Sequence, residues 1–290
     1  RAEEMGCDLV ETTAHPGARP THALWQGQIF SRSGRHPRYP DFVSSTGYGT
    51  GAGLCGWNCR HSFFPFFEGL SESAYPRSKL REYEEKTVTY NGKRLSYYDA
   101  TQQQRYIERQ IRRWKREYLM MDAAGLDTTQ ASVKLAQWRA AEKDFCKQTG
   151  LDKDGFRSQI IGFGKSEAAK ARSIFTKSLL PNYKNAEIPI EKFTKYALNM
   201  DHPKGKDKAI AFEKALGYNI NNADDLIANI YKNLSSYPAK LRPKTQYGQP
   251  FEVRMLLTGP NGKTAYVKTG WIINTGDKNP HLTSAYVDGR

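Results

Sequence analysis

Cysteine and histidine side chains are concentrated in one short stretch, residues 47–69, which reads GYGTGAGLCGWNCRHSFFPFFEG. Cys55, Cys59 and His61 stand four and two positions apart there, beside glycines that let the backbone turn tightly. Thiolate sulfur and imidazole nitrogen are ligands that Zn²⁺ prefers. We therefore expect these three side chains to converge on a zinc ion, with His15 as the fourth ligand. The alternatives for that fourth position are His22 and Cys7.

The same residues permit two other interpretations. Cys59 is a candidate nucleophile if His15 or His22 acts as its base. A tight loop whose thiols and imidazoles are only buried in the interior is the remaining alternative. The pattern C-x3-C-x-H also departs from the usual C-x2-C spacing of zinc sites, so zinc, thiol chemistry and simple burial all stay open.

A basic helix is predicted to follow, beginning at Asp99 as its N-cap and ending near Ala124. Its apolar residues recur at helical steps of four and three and predict one buried stripe: Ile107, Ile111, Trp114, Tyr118 and Met121. The opposite face is expected to carry a basic ridge that follows a phosphate backbone or is simply solvated. The residues of this ridge are Arg105, Arg109, Arg112, Arg113, Lys115 and Arg116.

Composition sets the broad class. The 290 residues carry 44 Lys and Arg against 30 Asp and Glu, a formal charge of +14 that favours polyanionic partners. Four cysteines are too few for a disulfide framework and indicate a reducing compartment. No apolar run is long enough to cross a bilayer, so no membrane partner is expected. The sequence begins at Arg1 within what reads as folded sequence, and we expect it to be a fragment of a longer chain.

The predicted fold class is α+β, with four regions. Residues 1–95 form a loop-rich region of short strands that ends in a hairpin at Asn91-Gly92. Residues 96–150 form a helical hairpin, and residues 151–185 a linker. Residues 186–290 form a small domain of helices followed by antiparallel strands. The elements expected in this domain are helices within 188–218 and 223–234 and strands at 251–257, 263–267, 270–273 and 282–287.

The first part of the chain resembles a known family. HPGARPTHALWQG at residues 15–27, a glycine-rich stretch and then NCRHS at residues 58–62 resemble the minor capsid proteins of tailed phages. An analogous order occurs in the Mu-type head morphogenesis family. The resemblance covers roughly residues 1–75, and it implies a virion protein with capsid and portal proteins as partners.

The last part of the chain resembles a toxin-like C-terminal module found on polymorphic toxins and on phage head proteins. The matching stretches include His202-Pro203-x-Gly205, Gly259-Pro-Asn-Gly262-Lys263 and the closing LTSAY at residues 282–286. LTSAY is similar to the T-A-[YF]-P ending of metal-independent ribonucleases of the barnase, EndoU, colicin and RelE fold, with Val287 in place of the final proline.

This resemblance implies a set of catalytic residues. Such a ribonuclease needs a base for the ribose 2′-hydroxyl, an acid for the leaving oxygen and cations for the developing charge. His202 and His281 are the candidates for base and acid. Lys208, or else Lys204, Lys206 or Arg242, would supply the cation. Thr283, Ser284 and Tyr286 would position the phosphate. The structural alternative makes His202 a turn residue and Lys208 a surface charge.

Two functions from different classes follow. The first is a structural minor capsid protein of the virion that carries a C-terminal effector, a ribonuclease toxin. The second is an independent RNA-cleaving toxin, with a plain nucleic-acid-binding protein as a third. The expected partners are other capsid proteins, phage DNA or target RNA, and an immunity protein. The expected locations are the virion and the host cytoplasm during assembly or after delivery.

Overall fold

A computed structural model describes residues 6–289 of the protein, and the chain divides into two compact units. The first unit consists of the chain up to Glu108 together with Glu142–Asp154, and the second of Arg109–Ala141 together with the chain from Gly155 onward. Helices and antiparallel sheets occur in both, which confirms the α+β class. Within residues 6–289 no helix combines the length and the apolar composition that crossing a bilayer requires.

A small antiparallel sheet lies at the centre of the first unit. Strand β1 pairs with β2 on one side and with β3 on the other. The loops between the strands contain two short helices. The elements are β1 (Leu9–Thr12), α1 (Pro20–Ala23), β2 (Ile29–Ser31), α2 (Phe42–Thr46), β3 (Phe63–Pro65) and α3 (Arg77–Glu85). Short strands with long connections are what the glycine- and proline-rich sequence predicts.

The core of this sheet is aromatic and aliphatic. Val10, Trp25, Phe30, Phe42 and Leu54 are all buried and form one cluster. The four phenylalanines on both sides of Pro65 differ in burial. Only Phe66 is fully buried, while Phe63, Phe64 and Phe67 are half-buried.

The Asn91-Gly92 dipeptide forms the predicted hairpin between β4 (Thr87–Tyr90) and β5 (Lys93–Ser96). Both turn residues have positive φ angles, 49° and 74°, as a type I′ turn requires. The long helix α4 (Tyr97–Ala123) follows directly and begins two residues before Asp99. The prediction that Asp99 is the N-cap was wrong, because the hydroxyl of Ser96 accepts from the Asp99 N–H at 3.0 Å.

The helix α5 (Thr129–Thr149) follows α4 after a short connection in which Gly125 has a φ of 66°. Within the first unit, Gln104 of α4 donates to the carbonyl oxygen of Asp152 at 2.7 Å. The ring of Tyr90 meets Phe145 of α5 with centroids 4.8 Å apart. The first contact attaches α4 to the segment after α5, and the second attaches α5 to the hairpin.

The second unit contains a helical part and then a four-stranded antiparallel sheet of order β6-β7-β8-β9. Its later elements are α6 (Lys165–Ser178), a π-helical turn (Phe193–Ala197), α7 (Lys206–Leu216), α8 (Ala223–Leu234), β6 (Ala239–Leu241), β7 (Gly248–Thr258), β8 (Thr264–Asn274) and β9 (His281–Val287). Helix α6 lies within residues 151–185.

One continuous core joins α7 and α8 to this sheet. Phe212, Leu226, Met255 and Trp271 belong to it and are almost completely buried. The two strands predicted on either side of Gly270 are one strand, β8. Its pairing with β9 shifts register between Gly270 and Trp271.

Candidate functional site

Neighbouring strands of the first unit bring the residues of the candidate metal site together. β1 and β3 are paired, so the segments that follow β1 and precede β3 lie side by side. The Thr13 N–H donates to the carbonyl oxygen of Ser62 at 2.8 Å. This pairing places the ring of His15 against that of His61, with centroids 4.3 Å apart and planes inclined by 27°.

The glycine-rich loop supplies the cysteine. Its backbone folds so tightly that a Cβ atom on Gly53 would lie 1.9 Å from the carbonyl oxygen of Gly47. Leu54 anchors the loop in the core and donates its N–H to Thr46 at 3.0 Å. Cys55 and Asn58 have φ angles of 60° and 55°, values that few residues other than glycine adopt. The loop therefore reaches Cys59 through a sequence of turns.

Three donor atoms converge at this place. The Sγ of Cys59 lies 3.6 Å from Nδ1 of His22 and 3.6 Å from Nδ1 of His61. Ligand atoms of these three residues all lie within 4.8 Å of one another. His22 and His61 are buried and Cys59 is partly exposed.

Hydrogen bonds fix which nitrogen of each imidazole carries the proton. Nε2 of His22 lies 2.8 Å from the carbonyl oxygen of Ala52, and Nε2 of His61 lies 3.2 Å from Oε1 of Gln26. Both partners are oxygen acceptors, so each Nε2 donates a proton. Gln26 Oε1 is the acceptor because it also receives the N–H of His15 at 3.1 Å. Each Nδ1 therefore presents a lone pair toward the sulfur.

His15 contributes a further unpaired nitrogen. Its Nδ1 donates to the carbonyl oxygen of Pro16 at 3.0 Å, so its Nε2 is the nitrogen with a lone pair. That Nε2 is buried and has no hydrogen-bond partner. An unsatisfied buried acceptor of this kind is uncommon in a folded protein, and a bound water, ligand or metal ion would satisfy it.

Burial keeps the three imidazoles neutral. Loss of solvent, and then the charge repulsion of neighbouring histidines and arginines, lowers the pKa of His61 to about 3. Loss of solvent likewise lowers the pKa values of His15 and His22. Neutral imidazole is the form that binds metal ions, and it does not form an imidazolium–thiolate pair with a cysteine.

A cavity of about 290 Å³ borders this cluster. The side chains of Arg19, Arg60 and Arg105 contribute to its wall, together with Tyr98 and Gln102 of α4. Arg19 also donates to the carbonyl oxygen of Trp57 at 2.7 Å, which ties α1 to the glycine-rich loop. The surroundings of the cluster are therefore cationic and open to small ligands.

The structure thus selects among the predicted ligands. Cys59 and His61 come together as expected, and His22 is the third member of the set. The thiol of Cys55 instead lies 3.7 Å from the carbonyl oxygen of His61, and burial raises its pKa. Cys7 contacts the carbonyl oxygens of Leu9 and Phe66 at 3.2 and 3.3 Å. All four cysteines are free.

The basic helix does not present a continuous ridge. Lys115 is buried and donates to the carbonyl oxygen of Ser158 at 2.5 Å, and Arg112 donates to that of Arg157. The expectation that these two side chains lie on the solvent face was wrong, because they hold the turn at 156–158. Arg109, Arg113 and Arg116 are exposed, while Arg105 is half-buried at the cavity described above.

In the C-terminal domain, two of the predicted catalytic residues, His202 and Lys208, contact Tyr196, and Lys208 also faces a third, Tyr286. The ring of His202 meets that of Tyr196 with centroids 4.8 Å apart. The Nζ of Lys208 lies 4.7 Å from the Tyr196 centroid and 5.8 Å from the Tyr286 centroid. Nδ1 of His202 also accepts the N–H groups of Lys204 and Gly205, at 3.1 and 3.0 Å, so His202 is at the same time a turn residue.

His281 and Thr283 have other surroundings. His281 lies between two carboxylates, with Nδ1 3.1 Å from Glu187 and Nε2 2.5 Å from Asp277. The hydrogen bond from His281, and then two backbone N–H groups, lower the pKa of Asp277 to about 2. Thr283 is exposed at the register shift of β9, beside Gly270. No described contact joins either residue to the group around Tyr196.

Comparison with known proteins identifies the first half of the chain. The family model described as phage minor capsid protein 2 matches residues 1–147. The chain belongs to this family. A second model, described only as a domain of unknown function (DUF6883), matches residues 179–289.

Two curated relatives are similar to part of this minor capsid protein, and both are named structural protein. One, from Lactococcus phage LL-H, is 35% identical over 112 residues, which are 37% of this chain and 27% of the relative. The other, from Lactococcus phage mv4, is 33% identical over 108 residues, 37% of this chain and 78% of the relative. The chain thus spans about a quarter of the first relative's length. No solved structure matches.

Sequence reasoning did not assign a role to Gln26. Its side chain is 4% exposed and joins His15 to His61 through one oxygen. Gln26 stands four residues after His22, a spacing that places two residues on one face of a helix. Helix α1 ends at Ala23, so this spacing is not a helical signal for Gln26.

Proposed function

We propose that this minor capsid protein is a structural component of the phage virion and binds other capsid proteins in the head. The observation that carries the proposal is the family match over residues 1–147. Both relatives are named structural protein, which is consistent with that role.

An exposed apolar patch on the first unit supports a protein partner. Leu24 and Trp57 are 77% and 78% exposed, well above what large apolar side chains usually show. Leu24 lines a cavity of about 390 Å³ with Ala52 and Gly53. The Trp57 ring lies so close to Gly51 that a Cβ atom there would approach it to 2.9 Å. The two side chains thus both lie at the turn of residues 51–53, and exposed large apolar side chains of this kind mark interfaces.

Analysis of purified particles tests this proposal. Mass spectrometry of particles assembled from the encoding phage genome is expected to detect the chain, and cross-linking is expected to connect Trp57 or its neighbours to another head protein. Leu24→Ser and Trp57→Ser should reduce incorporation while leaving folding intact. Ile161→Ser is the matched control, because Ile161 is fully exposed in the second unit. Particles without the chain would contradict the proposal.

A second candidate function is an RNA-cleaving effector in the C-terminal domain. Its support is that His202 and Lys208 both contact Tyr196 while Lys208 also faces Tyr286, an arrangement that combines an imidazole, a cation and hydroxyls. Lys268 lies 5.7 Å from the Tyr286 centroid and adds a second cation. Cations and hydrogen-bond donors of this kind stabilise the charge that develops on a phosphate during cleavage.

The activity assay uses the full chain and total RNA without divalent metal. Lys208→Gln is expected to reduce cleavage on the order of 100-fold, since it removes one electrostatic donor. Lys214→Gln, an exposed lysine of the same helix, is the matched control. An active enzyme would also require an immunity protein during expression. A wild-type chain that leaves RNA intact would end this candidate and leave the virion role unaffected.

A further inference from the structure

We propose that His22, Cys59 and His61 bind one Zn²⁺ ion in the first unit of this minor capsid protein. The proposal does not rest on the virion role or on the ribonuclease activity. It replaces Cys55 of the predicted ligand set by His22, from a helix 37 residues upstream of Cys59. The ligands are Nδ1 of His22, Sγ of Cys59 and Nδ1 of His61.

The separations of the donor atoms fit a tetrahedral zinc site. Zinc–sulfur bonds of about 2.3 Å and zinc–nitrogen bonds of about 2.0–2.1 Å at a tetrahedral angle put sulfur and nitrogen about 3.6 Å apart. The two sulfur–nitrogen distances in the structure are both 3.6 Å. The three atoms all lie within 4.8 Å of one another, so a small closing movement of the two imidazoles brings them onto one ion.

The outer hydrogen bonds of both histidines are those of metal ligands. A histidine that binds a metal through one nitrogen almost always donates its other N–H to an oxygen, which fixes the tautomer and the ring. Here Ala52 and Gln26 provide that oxygen for His22 and His61. Both lone pairs are thereby directed at the same sulfur before any metal binds.

Without a metal ion, the cluster has fewer hydrogen-bond donors than acceptors. The Cys59 thiol has one hydrogen to donate, whereas two Nδ1 lone pairs face its sulfur. One of these two buried nitrogens must therefore stay without a hydrogen-bond donor, which is unfavourable. A cation bound to the thiolate and both nitrogens removes this deficit.

The donor set and its surroundings favour zinc. One thiolate and two imidazoles suit zinc, whereas magnesium and calcium prefer oxygen ligands. Trp25 covers the cluster, with its ring centroid 4.6 Å from that of His22 and 4.9 Å from that of His61. The cavity that borders all three ligands leaves room for a fourth, either a water molecule or the unpaired Nε2 of His15.

The first test measures metal in the full chain, purified without chelator. Atomic emission is expected to give one zinc per chain. Substitution with Co²⁺ is expected to give the thiolate charge-transfer band and the visible bands of a four-coordinate site. Cys59→Ser and His22→Asn should each weaken binding by at least tenfold, while Cys55→Ser and His36→Asn, the matched controls, should retain wild-type affinity.

A second measurement needs no variant and so remains informative if His22→Asn does not fold. Peptide mass spectrometry after thiol labelling should find Cys59 protected in zinc-loaded protein and reactive after chelation, while the labelling of Cys55 changes little. Wild-type protein that holds no zinc even when zinc is supplied in excess would overturn the proposal. Loss of zinc in Cys55→Ser but not in Cys59→Ser would overturn the ligand assignment.

Discussion

The sulfur of Cys59 lies 3.6 Å from Nδ1 of His22, although the two residues are 37 positions apart in the sequence. A loop of turns on one side and a four-residue helix on the other bring them together. Because this contact depends on the tertiary fold, the spacing of residues in the sequence did not reveal it and Cys55 was predicted as a ligand instead. Sequence proximity favours Cys55, but the positive φ at Cys55 turns the chain so that the next cysteine faces the histidines.

The first prediction concerns Gln26, whose oxygen accepts from both His15 and His61. Gln26→Ala removes this acceptor and leaves two N–H groups without a partner in a buried position. We expect a loss of about 1–3 kcal/mol for each donor left unsatisfied. Amide hydrogen exchange of peptides covering Leu9–Thr12 measures this loss of stability, because a less stable strand β1 opens more often and exchanges faster.

Gln28→Ala is the control for that experiment. Gln28 is exposed, and its side chain donates only to the carbonyl oxygen of Leu24. Exposed substitutions of this kind usually change stability by less than about 0.5 kcal/mol. Equal effects of Gln26→Ala and Gln28→Ala would contradict a connecting role for Gln26.

Local patterns predicted secondary-structure elements better than they predicted the surroundings of individual side chains. The Asn91-Gly92 turn and the stripe of Ile107, Ile111 and Tyr118 follow from short-range rules, and the structure confirms them. The buried position of Lys115 does not follow from such a rule. Its amine reaches the carbonyl oxygen of Ser158, a partner 43 residues away that only the tertiary fold provides.

The second prediction concerns Thr269 in the C-terminal core. Its hydroxyl accepts the indole N–H of Trp271 at 2.8 Å and donates to the carbonyl oxygen of Val253 at 3.1 Å. Thr269→Val keeps the volume but leaves the indole N–H unpaired, so we expect a loss of about 1–3 kcal/mol. Thr264→Val on the same strand is the exposed control. Urea unfolding followed by tryptophan fluorescence compares the two variants, and similar midpoints would refute the prediction.

The third prediction concerns acid sensitivity at the start of β9. The hydrogen bond from His281 lowers the pKa of Asp277 from 3.8 to about 2. Because the folded pKa lies below the unfolded one, the stabilisation is fully present above about pH 4 and is lost as the pH falls toward 2. Glu187, which faces the other nitrogen of His281, keeps that ring in place in the variant.

Hydrogen exchange of β9 peptides, compared between proteins at the same pH, measures this effect. Asp277→Asn should show faster exchange than wild type at pH 5 and a smaller difference at pH 2. Asp224→Asn, in an exposed position of α8, is the control. A constant difference between Asp277→Asn and wild type at both pH values would exclude the proposed linkage.

The C-terminal sheet shows the same limit of sequence patterns. The strands at 251–257 and 282–287 were predicted within a few residues, since alternation is strong there. Strand β6 was missed because only three residues, Ala239–Leu241, take part, too few to show a period of two. The sequence also did not associate His281 with Glu187, a carboxylate from a distant segment that only the tertiary fold brings to its Nδ1.

The last prediction connects the glycine-rich loop to the zinc site. A Cβ atom at residue 53 would lie 1.9 Å from the carbonyl oxygen of Gly47 and 2.3 Å from its carbon, and both are backbone atoms that no rotamer change can move aside. Gly53→Ala must therefore displace the loop that carries Cys59. We expect a loss of about 1–3 kcal/mol in stability, as for other overpacked sites, and weaker zinc binding measured by competition with a chromophoric chelator.

Gly155→Ala is the control, because residue 155 has φ −61° and ψ −33° and no atom within 4 Å of the added carbon. It should stabilise the protein by about 0.4–1 kcal/mol through the unfolded state and leave zinc affinity unchanged. If Gly53→Ala instead binds zinc as tightly as wild type, the tight fold of the loop does not position Cys59, and the sulfur must reach the histidines by another backbone path.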